Sequence, residues 1–190
     1  MIGQSQAGIY SLAYSLSMIL TMLNSSLMQT IEPWMYKKIN EGKVEDISKV
    51  AYPAFGVIAF ANILLIAFAP EAFAPKDYYD AIYVIPPVAM SVFFMFSYTF
   101  FAVFEFYYKK TTLVSLATTG GAILNIILNF LFIKIFGYYA AGYTTLICYI
   151  AYAVFHFVFM KKICDDKLNN TYPYNFKIYF GIVVGFIILG

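Results

Sequence analysis

Arginine is absent from this chain, and histidine and tryptophan occur once each. Cysteine occurs twice, and charged residues make up only 12% of the sequence. A soluble domain carries about a quarter charged residues, so the polar surface needed to coat a water-soluble globule is missing. Every basic residue is lysine and no basic face is clustered, which argues against a nucleic-acid partner. Cys148 and Cys164 lack the C-x-x-C spacing of a metal or redox pair, and two thiols make no disulfide framework. They read as a small buried hydrophobe and a loop thiol beside Asp165 and Asp166. The single histidine, His156, lies in AVFHFVFMKK with no carboxylate near it in sequence. Nothing resembles a nucleophile elbow, a phosphate loop or H-E-x-x-H, so the chain reads as non-enzymatic, with no cofactor and no metal site. His156 reads as an interfacial ring packed among aromatics, or as a proton-coupling or ligand group.

What is present is hydrocarbon: 62% hydrophobic residues, 21% aromatic residues and a mean hydropathy of +0.75. The expected fold class is an all-α integral membrane bundle of about six helices, because each helix satisfies its own backbone in lipid. The alternating ten-residue segments of a β-barrel do not occur. Expected spans, within a single membrane domain over 1–190, are residues 8–31, 50–69, 82–107, 112–136 and 139–160, with a sixth from 176. The first is expected to end at Glu32-Pro33-Trp34, where proline stops a helix and tryptophan suits the interface. Pro53 and Pro86-Pro87 predict kinks or helix starts. The sixth run reaches Gly190 after about 15 residues, short of the roughly 20 that a span needs, which predicts a chain cut short.

Lysine placement predicts orientation. Successive loops hold Lys37, Lys38, Lys43 and Lys49, then Lys76, then Lys109 and Lys110, then Lys134, then Lys161, Lys162, Lys167 and Lys177. This alternation is the pattern of positive-inside insertion, with the first, third and fifth loops cytoplasmic. The N-terminal end and the loop PEAFAPKDYYDA then lie outside. An external N-terminus without a signal sequence predicts a missing upstream span.

Polar groups inside spans need a reason. Asn125 and Asn129 are spaced i, i+4 on one helix face, so they bond a neighbouring helix or line a cavity. Gly120-Gly121, one turn earlier, would let a neighbouring backbone approach closely. The first span carries Ser11, Ser15, Ser17, Thr21, Asn24, Ser25, Ser26 and Gln29, and is expected to line an aqueous cleft or pack deep in a bundle. Asn62 in the second span reads the same way. Glu105 is the carboxylate that falls within a span. Lys109, four residues on, offers a partner at the interface, and a transport role is the other reading.

Four stretches resemble, in order, the C-terminal lobe of lipid-linked oligosaccharide flippases of the polysaccharide-transporter family, within the multidrug/oligosaccharidyl-lipid/polysaccharide exporter superfamily. They are Gly8-Ile9-Tyr10 with Leu12-Ala13-Tyr14, Ala69-Pro70-Glu71, Lys110-Thr111-Thr112, and Asn125 to Asn129 with Phe136-Gly137 and Ala140-Ala141-Gly142. The resemblance covers residues 3–162, and its last stretch is the most specific. It implies one lobe of a two-lobe alternating-access transporter whose N-terminal lobe is missing. It also implies a bacterial plasma-membrane location, the bilayer as a partner, and a polyprenyl-diphosphate-linked oligosaccharide as cargo for capsule or O-antigen. The family's cleft is cationic. This chain has no lysine deep in a span, so the resemblance places those cationic groups in the missing lobe. Asn24, Gln29, Asn62, Asn125, Asn129 and Glu105 are the candidate pathway residues. A cation-coupled multidrug exporter of the same superfamily, a membrane polymerase or acyltransferase, and an assembly subunit are the alternatives.

Overall fold

A computed structural model describes residues 4–73 and 82–190. The helices are α1 (Gln4–Asn40), α2 (Ile47–Phe73), α3 (Ile85–Tyr107), α4 (Thr111–Phe136), α5 (Ala140–Lys167) and α6 (Phe176–Leu189). Among the described residues there is no strand. The first five helices are long and apolar enough to cross a membrane, so the chain is an all-α, multi-pass membrane bundle. Most of the loop PEAFAPKDYYDA, including Lys76, lies outside the described residues.

α3 is the central helix. Of its most apolar stretch 78% is buried, against 6% for α4. Lipid is as apolar as these side chains and needs no cover from them, so contact sets α3 apart: α1, α2 and α5 each pack on it. Pro86 and Pro87 sit in its first turn, where the missing N–H groups have no intrahelical partner to lose. At the core, the Phe55 ring lies 4.9 Å from Phe100, 6.0 Å from Phe96 and 5.5 Å from Tyr179, tying α2, α3 and α6 together. Lipid tails are as apolar as these rings, so the gain here is close packing rather than escape from water.

α4 and α5 form the expected hairpin. Gly137 ends α4 with φ +75°, a conformation that disfavours a side chain, and α5 starts at Ala140. Gly142 lets α5 press on α3, since a Cβ there would lie 3.0 Å from the Pro87 ring.

Three boundaries differ from expectation. α1 continues through Pro33 to Asn40, because Ile31, Met35 and Ile39 carry the buried stripe of the helix onward into the core. A proline costs one backbone bond and a ring clash, and this packing outweighs both. Pro53 likewise sits inside α2 rather than at an end. α5 runs past residue 160 to Lys167, with Met160, Ile163 and Cys164 buried on its inner side. Cys164 is therefore a buried helical thiol and not a loop thiol.

α1 ends near the end of α3, where Tyr107 donates to Asn40 Oδ1 at 3.4 Å. α2 and α6 begin together at Tyr52 and Asn175. The lysine-bearing ends of α1, α3 and α5 and the starts of α2, α4 and α6 therefore share one side of the bundle.

Candidate functional site

α3 and α5 run in the same direction with a constant register. Glu105 faces His156, 51 positions on, and Tyr98 faces Tyr149 at the same offset. Each helix repeats an aromatic and then an ionisable residue seven positions apart, which is two turns and therefore one face. On α5, Tyr152 falls on that face between Tyr149 and His156.

The result is a stacked wall. The Tyr98 ring lies 6.3 Å from Tyr149 with 15° between planes, and 5.2 Å from the His156 ring with 23°. Tyr152 lies 6.3 Å from His156 at 12°. Gly121 of α4 makes room for Tyr152, whose ring occupies the place a Cβ would take. The Tyr152 hydroxyl donates to the Thr118 carbonyl at 3.0 Å, fixing the ring against α4. Nothing lies near Gly120, so of the two glycines only Gly121 serves close approach.

Behind this wall sits the pair itself. His156 Nδ1 and Glu105 Oε1 are 2.6 Å apart, and both side chains are buried. Glu105 Oε2 is buried with no hydrogen-bond partner. The expected interfacial partner, Lys109, does not pair with Glu105. It takes a left-handed backbone (φ 56°) in the turn after α3, and its side chain is exposed.

A cleft of about 340 Å³ opens in front of His156. Its floor is α3 and α5, with Tyr98, Tyr149, Tyr152 and His156. Its sides are α1, through Met28 and Glu32, and α4, through Val114 and Thr118. Glu32, half-buried, accepts a hydrogen bond from Tyr36 one turn below. Glu32, Glu105 and His156 share a depth: each precedes its helix's lysines (Lys37, Lys109, Lys161) by four or five residues, roughly 7 Å along an axis. The site is an aromatic, polar recess just inside the lysine-rich end.

The asparagines lie elsewhere. Asn125 and Asn129 sit between α4 and α5, half-buried. Asn129 Nδ2 donates to Asn125 Oδ1 at 2.9 Å, Thr144 Oγ1 donates to Asn129 Oδ1 at 2.6 Å, and Asn125 Nδ2 contacts Cys148 Sγ at 3.6 Å. This is interhelical bonding within the hairpin. Asn24 is buried and donates to the Val92 carbonyl of α3 at 3.1 Å, joining α1 to α3. Asn62 is buried and donates to the Ile58 carbonyl of its own helix at 2.8 Å. Gln29 is exposed on the outer side of α1 with Ser25 and Ser26.

The serines of α1 have a local explanation. Ser15, Ser17, Thr21, Ser25 and Ser26 each donate to the carbonyl four residues back, at 2.8–3.1 Å. A hydroxyl satisfied by its own helix can face lipid at little cost, so the polar run does not by itself require water.

Of the candidate residues, the cleft therefore gathers only Glu105, and that through His156. Glu32, Tyr98, Tyr149 and Tyr152 were missed. Their signal was present as the seven-residue repeats Tyr98/Glu105 and Tyr149/His156, but pairing those repeats requires knowing that α3 and α5 lie parallel. Among the described residues no three His, Cys, Asp or Glu side chains group to hold a metal. Comparison with protein-family models, with curated proteins and with solved structures found no match.

Proposed function

We propose that this chain is part of a membrane transporter, a flippase that moves polyprenyl-diphosphate-linked oligosaccharides for surface polysaccharide across a bacterial plasma membrane. The observation that carries the reading is the cleft. It sits within the spans, its floor is a stack of tyrosine and imidazole rings, and a carboxylate stands on its rim. Flat aromatic faces suit the apolar faces of sugar rings, and the tyrosine hydroxyls, Glu32 and His156 suit their hydroxyls. The cleft lies between helix sides rather than in a closed core, so a sugar can occupy it while its lipid tail stays in the bilayer. Lys109, Lys110 and Lys162 lie with Asp166 around a second recess at the same end, whose net positive charge suits a diphosphate.

One observation favours a second reading, a cation-coupled exporter of organic cations. Glu105 is fully buried and paired with His156 instead of resting at the interface with Lys109. Aromatic walls with a carboxylate also suit organic cations.

The test is a reconstituted assay on the complete gene product. Liposomes carry a fluorescent short-chain polyprenyl diphosphate oligosaccharide, and flipping is read as its accessibility to an impermeant quencher. The reading expects flipping in wild type and a fall of about tenfold or more in Tyr98→Ala and Glu32→Gln. Export of a fluorescent organic cation with no flipping of the lipid would decide for the second reading.

A further inference from the structure

We propose that Glu105 and His156 are a proton-carrying pair whose protonation is linked to the state of the cleft. The proposal rests on the reading of that cleft as a transporter's substrate site.

The geometry points to a relay. Glu105 is sealed at the end of α3 and does not line the cleft, whereas His156 does. The imidazole stands between the carboxyl and the recess, with Nδ1 on Glu105 Oε1 at 2.6 Å. Starting from a carboxylate and an imidazole protonated at Nδ1, hydronium in the cleft gives a proton to Nε2, and Nδ1 passes its own proton to Glu105 Oε1. The carboxyl ends neutral and the imidazole ends neutral in the opposite tautomer. One proton has been gained, water is left behind, and release reverses the same steps.

Charge links these steps to the cleft. A pair holding one proton has no net charge, whether written as an ion pair or as two neutral groups. Removing that proton, or adding a second, leaves a net charge among buried apolar side chains, which is costly where water cannot reach. Exchange is thereby confined to states in which the cleft admits water or substrate hydroxyls.

The groups that share the cleft with His156 can be named element by element: α1 offers Glu32, α3 offers Tyr98, and α5 offers Tyr149 and Tyr152, while α4 contributes Val114 and Thr118, neither of which titrates. Tyr98 and Tyr152 stack on the imidazole, so a passing positive charge on that ring is felt by the rings that form the substrate wall.

Two measurements on the full chain in lipid nanodiscs test the proposal. Infrared difference spectra after a light-triggered pH jump need no ligand, and the imidazole bands are assigned to His156 by their loss in His156→Asn. The expected result is a protonated-carboxyl band that rises together with an imidazole tautomer change and tyrosine ring bands, all absent in Glu105→Gln. Bands that persist in Glu105→Gln, or that rise independently of one another, overturn the relay. Where that variant folds poorly, His156→Asn replaces it, and the carboxyl band must then rise at least about tenfold more slowly. An unchanged rate overturns the relay equally. In the second measurement a short-chain polyprenyl diphosphate disaccharide is mixed with weakly buffered protein. Wild type should exchange about one proton per probe bound, and Glu105→Gln about none per probe bound, at whatever affinity it retains. Failure of wild type to bind this probe overturns the substrate reading alone, since the infrared result stands without it.

Discussion

At Glu105 and His156, two ionisable groups have been taken out of water and given one another as a partner. Removing one member leaves the other buried and alone, which costs about 3–5 kcal/mol in comparable sites, whereas replacing both with apolar side chains of similar volume is often neutral or stabilising. His156→Ala is therefore expected to lower the thermal midpoint of the detergent-solubilised protein. The double change Glu105→Met with His156→Phe should bring it back to wild type or above. A double variant as unstable as His156→Ala would show that the pair is itself a net source of stability, which its partnerless Oε2 argues against. None of this was readable from the residues singly. Glu105 lay four positions from Lys109, and His156 had no carboxylate within its own stretch. Local spacing therefore suggested an i, i+4 interfacial pair, worth a few tenths of a kcal/mol. The register between α3 and α5 supplied a buried partner instead.

Among the elements, the α4–α5 contact depends on one glycine and not its neighbour. The Tyr152 ring fills the space above Gly121, and nothing lies above Gly120. Gly121→Ala should push Tyr152 off the cleft floor and cost about 1–3 kcal/mol, as overpacking does. Gly120→Ala should be neutral or stabilise by up to about 1 kcal/mol, the helix-propensity difference. Thermal unfolding of the two variants side by side checks this, and equal effects would contradict the packing. A second element-scale contact holds the α1–α2 joint, where Asp46 accepts from Lys49 at 2.7 Å and from Lys38 at 3.1 Å. These lysines hold the Asp46 carboxyl below its ordinary value of 3.8. A depressed carboxyl contributes stability that is present above the unfolded value and is lost as pH falls through the folded one. Amide hydrogen exchange over residues 41–47 should therefore keep its protection down to about pH 4, and lose it only on further acidification. Loss of protection between pH 7 and 5 would rule this out. Helix existence was legible from hydropathy because lipid demands long apolar runs. Helix ends were less so: α1 passes Pro33 and α5 passes residue 160 because buried side chains on other helices hold them, and no local signal carries that information.

For the whole molecule, the bundle sorts charge by end. Ten of the twelve lysines lie by sequence at the ends where α1, α3 and α5 finish and α2, α4 and α6 begin; Lys76 and Lys134 are the exceptions. Lysines near span ends resist translocation, so an excess of this size should hold the lysine-rich end in the cytoplasm and the Gly137 turn outside. Within this chain Cys148 and Cys164 are both free and buried, and so give a low background with thiol reagents. Single cysteines can be placed at two exposed lysines, Lys43 in the α1–α2 joint and Lys134 in the last turn of α4. In intact cells an impermeant maleimide should label Lys134→Cys and leave Lys43→Cys unlabelled until the membrane is opened. The converse pattern would invert the bundle. It would also move the recess of Glu32 and His156, which sits about 7 Å inside the lysine-rich end, from the cytoplasmic side to the outer one. A flippase that collects its cargo where lipid-linked sugars are built needs that recess on the cytoplasmic side, so this labelling result bears on function as well as on topology.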